Sequence, residues 1–216
     1  MIYFTSDLHF GHKNILKFSG RPFVDINHHD HSLKNNNNEM VSDSDEIYDF
    51  GDVGYRCPPK YIAEMLRTMN GKRTIILGNH DKSLRQAYKQ GLLKDMLKSG
   101  KLEIVGGESV IYDNTLIVSK ILRVQGKMIL MSHYSYRTWP SAFKGSIMLH
   151  GHSHGNLPEL QQVKNFDVGV DLWNYYPVSL DRILKKCKII DAQKQSGFED
   201  GDPDTRKQIS DRNLKI

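Results

Sequence analysis

The stretch HGHSHG places His150, His152 and His154 at alternate positions, directly after the apolar run SIML. Alternate residues of an extended segment point to the same side, so such histidines can converge on one ligand, and the glycines leave room for close backbone approach. Similar endings recur along the chain. Residues 2–6 (IYFTS) run into Asp7-Leu8-His9, and residues 46–50 (EIYDF) into Gly51-Asp52. Residues 74–77 (TIIL) run into Gly78-Asn79-His80-Asp81, and KMILM runs into Ser132-His133. Singly, each ending has an ordinary explanation: a strand-end cap, a turn, a helix N-cap at Asn79 or Asp81, a satisfied histidine at His133. In open α/β sheets, however, ligands bind beyond the carboxyl ends of strands. Repeated delivery of Asp, Asn and His to such ends points to one shared site.

The chemistry of that set is metal ligation. Asp7 and His9 can share an ion while Leu8 turns into the core. His152 and His154 can do the same, or a turn can aim them at two neighbouring ions. Mixed carboxylate and imidazole donors suit Mn, Fe, Zn or Ni rather than Ca or Mg alone. The ligands outnumber what one tetrahedral ion accepts, so two ions fit better.

The elements that must position these residues follow from apolar periodicity. Residues 2–6, 46–50 and 74–77 read as buried strands, and residues 58–69 as a helix with prolines at its start. This is an α/β alternation around a sheet. Residues 103–133 carry the runs EIV, SVIY, TLIV and KMILMSH between turn signals, and read as consecutive strands. Residues 146–149 and 166–170 add two more strands, and residues 179–186 a helix. The polar, histidine-rich NHHDHSLKNNNN, with His28, His29 and His31, reads as a solvated loop or helix surface. One domain is expected over 1–190, with a polar, flexible tail over 191–216.

Composition narrows the class. The 216 residues are 38% hydrophobic and 25% charged, as in a soluble globular protein. No run of about 18 apolar residues suggests a membrane span, and MIYFTSDLHF has no signal-peptide layout. Cys57 and Cys187 are too few and too far apart for a disulfide framework, so reduced thiols in a cytoplasmic protein are expected. The formal charge of +5 permits an anionic substrate.

In this order, Asp7-Leu8-His9, Gly51-Asp52, Gly78-Asn79-His80-Asp81, His133 and Gly151-His152-Ser153-His154 resemble the sequence blocks of the calcineurin-like metallophosphoesterases. The resemblance runs from residue 3 to about residue 154. YFTSDLHFGHKNI and VGVDLWNYYPVSL are similar to a narrower group of small stand-alone phosphoesterases of bacteria and phages, which extends it to about residue 185. It implies a four-layer α-β-β-α sandwich and a dinuclear centre, manganese foremost, with Fe, Zn or Ni as alternatives. One ion would take Asp7, His9, Asp52 and His154, and the other Asp52, Asn79, His133 and His152. Metal-activated hydroxide would attack the phosphate of a phosphomonoester or phosphodiester, small or nucleotide-like. His80 would be the general acid, held by Asp81. His12, Asn14 and Arg21 match the narrower group as phosphate or substrate contacts, against a helix N-terminus for His12 and a surface ion pair for Arg21. His150 lies outside the pattern and reads as structural. The run GDVGYRC lacks the acidic or polar residue that often follows the Gly-Asp pair in the family. Tyr134, Tyr136 and Trp139 read as core packing or an exposed loop.

Two other functions compete. Lys82, Arg85 and Lys89 after GNHD would suit a nuclease or end-processing enzyme, or form the solvated face of a helix. A non-catalytic scaffold should have lost His80 or several ligands, and none is missing. Substrate, ester class and oligomeric state are not set by the sequence.

Overall fold

The computed structural model describes residues 1–158 and 163–199. In chain order the elements are β1 (Ile2–Thr5), α1 (Ile15–Phe18), α2 (Ile26–Met40), β2 (Glu46–Asp49), α3 (Pro59–Thr68), β3 (Lys72–Ile75), α4 (Lys82–Lys89), α5 (Lys94–Ser99), β4 (Leu102–Ile104) and α6 (Gly107–Tyr112). There follow β5 (Ser119–Val124), β6 (Lys127–Ser132), β7 (Ile147–His150), β8 (Asn165–Asp167), β9 (Val178–Ser179) and α7 (Leu180–Glu199).

The strands form two mixed sheets. The first has the order β4-β3-β2-β1-β9, with β1 to β4 parallel and β9 antiparallel at the edge. The second has the order β5-β6-β7-β8, an antiparallel β5–β6 hairpin continued by parallel β7 and β8. Alternation along each strand sorts the side chains between two faces. Phe4, Tyr48 and Ile76 of the first sheet meet Ile129, Met131, Ile147 and Leu149 of the second in a buried core. On the other side of the first sheet, Ile75 and Leu77 pack with Ile62 and Leu66 of α3 and Leu84 of α4. The outer face of the second sheet presents Leu130 and Met148, which pack with Trp139 from the loop that follows β6. The fold is therefore mixed α/β, with the parallel strands ending toward the residues singled out by the sequence. Among the described residues, no helix is long and apolar enough to cross a membrane. Cys57 and Cys187 are free thiols.

Three local expectations change. SVIY is not a strand: residues 107–112 form α6, which buries Val110 and Ile111 among the helices. TLIV joins no ladder, and the strand begins after it, at Ser119. Short apolar runs carry too few residues for period alone to separate helix from strand. The polar sequence after Asp191 continues α7 to Glu199, and the rest of the expected tail, 200–216, lies outside the described residues.

Candidate metal centre

Five of the strands and strand extensions deliver the expected residues to one place. Asp7, His9 and His154 bring ligand atoms within 4.8 Å of one another, and Asp52, His133 and His152 form a second group by the same measure. Asp52 stands between the two groups: its Oδ2 is 3.7 Å from His9 Nε2 and 3.6 Å from His133 Nε2. Asn79 joins the second group, with its Oδ1 3.0 Å from His133 Nε2. His80 sits on the rim. Its backbone N–H donates to Asp52 Oδ1 at 2.8 Å, and its ring lies 5.7 Å from that of His9.

The donor set has the chemistry of a cation site. Asp7 Oδ1 and His9 Nε2 are buried and, among the described residues, have no hydrogen-bond partner. His133 donates Nδ1–H to the Phe50 carbonyl at 2.7 Å, which leaves the Nε2 lone pair facing two oxygen acceptors, Asn79 Oδ1 and Asp52 Oδ2. Burial pushes the His133 and His9 imidazoles below their ordinary value, so both rings are neutral, the form that ligates metals. Burial also pushes the Asp7 carboxyl up to about 8, with facing His154 pulling it back and Asp52 adding to the rise. A positive charge among these converging acceptors would displace the proton that burial favours on Asp7.

The backbone is bent to make this arrangement. Asp7, His9, Asp52, His152 and His154 all have φ between 48° and 68°, in the left-handed region. Two glycines allow the loops to close on one another. A Cβ on Gly78 would lie 2.2 Å from Asp52 Oδ1 and 2.7 Å from His133 Cε1, and one on Gly151 would lie 2.6 Å from Asp7 Oδ2.

No family model matches the chain. The uncharacterized protein MJ1445 of Methanocaldococcus jannaschii is 31% identical over 190 residues, which span 85% of this chain and 89% of that protein. The chain belongs to the MJ1445 family. The gene 66 protein of Mycobacterium phage L5 is 23% identical over 222 residues, 92% of this chain and 97% of the phage protein. Among solved structures, a protein of unknown function from Aquifex aeolicus, AQ665, has a TM-score of 0.60 at 24% identity. That alignment covers 86% of this chain and 98% of AQ665, a likeness of fold.

Around this MJ1445-family centre, several expected roles change. Asp81 does not hold His80. Its carboxylate accepts the backbone N–H groups of Gly78 at 2.7 Å, Val53 at 2.8 Å and Asp52 at 2.9 Å, and so fastens the β2 and β3 loops together. Arg21 is not a surface ion pair. It is 3% exposed, and all five of its N–H groups are engaged. They donate to both Asp171 oxygens at 2.8 Å, to the Asp7 and Leu8 carbonyls at 2.8 and 3.1 Å, and to His29 Nε2 at 2.8 Å. His29 is therefore buried rather than solvated, and its Nδ1 donates to Asp30 at 2.6 Å. His28 and His31 keep the expected exposure on α2. His12 is nearly buried, with its Nδ1 3.2 Å from His9 Nδ1 and its ring 4.1 Å from Tyr55. Asn14 is exposed before α1 and makes no side-chain cap bond. His150 is buried behind the centre, its Nδ1 donating to the Gly151 carbonyl.

Two carboxylates were missed. Asp171 accepts His154 Nδ1–H at 2.7 Å, and its carboxyl is held low: burial alone would raise it, but bonds from His154 and Arg21 outweigh that. Asp167 accepts Ser153 Oγ–H at 2.7 Å and Gly155 N–H at 3.0 Å, and so shapes the loop that carries His152 and His154. The only signal for Asp171 was its place in VGVDLW, because an acid that orients a ligand has no spacing rule of its own.

Proposed function

We propose that this chain is a calcineurin-like metallophosphoesterase, a hydrolase of phosphomonoesters or phosphodiesters that depends on two divalent ions. The observation that carries the reading is Asp52 Oδ2 set between His9 and His133, at the junction of two Asp/His groups. Asp7, His9, Asp52 and His154 would hold one ion. Asp52, Asn79, His133 and His152 would hold the other, with manganese the first choice among Mn, Fe, Zn and Ni. Such a pair supplies charge neutralisation to phosphate oxygens and lowers the pKa of nearby water.

The chain's own residues do the rest. Asp52 fixes the His80 main chain, and Tyr55 meets the His80 ring edge-on at 4.9 Å. The His80 imidazole is thereby presented to the leaving oxygen, to which it delivers a proton. Asp171 orients His154 through Nδ1 and leaves Nε2 toward the centre. Asp81 is a positioning residue, and His12 and Asn14 flank the approach to His9. We assign the catalytic domain to residues 1–190 and its architecture to the four-layer sandwich of this superfamily, in a cytoplasmic protein.

A groove of about 510 Å³ beside His80 is lined by Tyr55, Arg56, Asn79 and Lys82, among others, with no carboxylate among the described residues of its wall. It favours an ester whose leaving portion is itself anionic, as in a nucleotide, and keeps a nucleic-acid substrate as the second reading. The test is hydrolysis of a chromogenic phosphodiester and the matching monoester, after chelation and after manganese is restored. Turnover should require the metal and be lost in His80→Ala and Asp52→Asn. Metal-independent turnover, or full activity in either variant, sinks the proposal. A steep fall of binding with salt would favour nucleic acid over a small ester.

A further inference from the structure

We propose that a second pocket of this chain, outside the metal centre, binds a nucleoside monophosphate. The pocket measures about 770 Å³ and opens beside β8 and the first turns of α7. That volume is in the range of small-molecule sites. None of Asp7, His9, Asp52, Asn79, His80, His133, His152 or His154 lines it. Its walls divide into two kinds of surface, and each selects one part of the ligand.

The first is cationic. Arg137 and Arg182 line the pocket with exposed side chains, and Lys186 adds a third positive charge. Among the described residues, no carboxylate pairs with Arg137 or Arg182. Among the described residues, the one carboxylate in the wall is Asp167, and it is already engaged. Ser153 Oγ–H and Gly155 N–H donate to its Oδ2, and Gly169 N–H to its Oδ1. Arg182 is held in place over the Trp173 ring, its guanidinium carbon 4.9 Å from the centroid. A guanidinium fixed in this way has its N–H edge available for a phosphate.

The second surface is apolar. Tyr136, Leu157, Leu172 and Trp173 line it, and Leu157 and Leu172 are each 51% exposed. Inorganic phosphate would leave that surface in water, whereas a base and ribose would cover it. Asn165 braces the wall between the two surfaces: it is 8% exposed and donates Nδ2–H to Ser135 Oγ at 3.0 Å. Phosphate toward Arg137 and Arg182, with the nucleoside against Leu157 and Leu172, satisfies both surfaces.

The test is calorimetric titration of the full chain, stripped of metal by chelator, with AMP, GMP, CMP and UMP, and with inorganic phosphate and adenosine as controls. At least one nucleotide should bind, and both controls should bind at least about tenfold more weakly. Arg137→Ala and Arg182→Ala alter exposed side chains and should each weaken binding about tenfold or more, the value of a charge-assisted hydrogen bond. Asp52→Asn should leave it unchanged. The proposal is overturned if no nucleotide binds at millimolar concentration, or if phosphate binds as well as the nucleotides do. It is overturned equally if neither Arg variant weakens binding, or if Asp52→Asn abolishes it, which would put the nucleotide in the metal centre. Because the titration uses metal-free protein and no turnover, its failure is distinct from failure of the phosphoesterase reading.

Discussion

Replacing Arg21 separates two roles that its sequence position left open. A surface arginine that touches substrate can be lost with little effect on stability, whereas this one is buried with five donors bonded. Arg21→Ala leaves the Asp171 carboxylate, 9% exposed, without its cation, and strips donors from the Asp7 and Leu8 carbonyls. Breaking one side of a buried ion pair costs roughly 3–5 kcal/mol. At about 2–4 °C per kcal/mol for a chain of this size, Tm should fall by about 10 °C. Arg21→Lys restores the charge but not the fork, and two or more acceptors stay empty at about 1–3 kcal/mol each, so it should recover less than half of the loss. Thermal unfolding of chelated protein reads the stability, and steady-state kinetics of manganese-loaded protein reads the function. The expected pattern is a large fall in Tm with a reduced kcat and a KM close to wild type. A Tm within about 1 °C of wild type, together with a raised KM, would show that Arg21 contacts substrate after all.

Other positions give sharp outcomes. Asp171→Asn should lower manganese affinity about 10- to 100-fold, because His154 loses its charged acceptor, and should also lower Tm, because buried Arg21 loses its counter-charge; unchanged affinity by metal titration would refute that orientation role. Gly78→Ala places a Cβ against Asp52 Oδ1 and His133 Cε1 and should abolish metal-dependent activity. A fully active Gly78→Ala would mean that the loops do not need this approach. Burial pushes the Cys187 thiol up to about 11, and burial with Glu46 pushes Tyr48 to about 12. The folded state therefore keeps protons that the unfolded chain releases near pH 8.5 and 10. This stabilisation is complete below about pH 8 and is lost as pH rises toward 11 and 12. Urea midpoints should fall between pH 8 and 10.5, less steeply in Cys187→Ala, and a midpoint that rises over this interval contradicts the assignment.

Much of the centre was legible because its residues follow apolar runs. A strand is recognisable from β-branched and aromatic residues, and polar residues at its carboxyl end then stand out, as Asp7, Asp52, Asn79 and His133 do. The supporting residues carry no such mark. Asp167 closes the three-residue β8 and Asp171 follows it in a short turn, and Arg21 lies in a loop that looks solvent-facing in one dimension. His29 shares its neighbours' polar composition, yet α2 turns it inward toward Arg21, while His28 and His31 point out. A helical surface assigns residues to faces by angle, so adjacent histidines in one polar run meet different environments. SVIY misled for the related reason that so short an apolar run packs equally well in a helix.

The strain at the centre ties these supporting residues to function. Five of the residues proposed as ligands are non-glycine residues in the left-handed region, at a cost of roughly 1–3 kcal/mol each. Together that approaches the roughly 5–15 kcal/mol by which a whole domain is stable. Glycine would relieve that strain, and Asp and His are among the side chains that tolerate it best, so it is the convergence of five such residues on one place that sets these loops apart. Asp and His are held in that geometry by bonds that the sequence did not announce. Asp81 fixes the Asp52 N–H, the Asp7 carboxylate accepts the His152 N–H, and Asp171 fixes the His154 ring. Arg21 in turn grips Asp171 and the Asp7 carbonyl, so one buried guanidinium links the strained β1 loop to the ring orientation of His154. A network that over-determines five strained donors is what preorganisation of a multi-ligand centre requires, and it places the stability cost of the site on the same residues whose removal should abolish its chemistry.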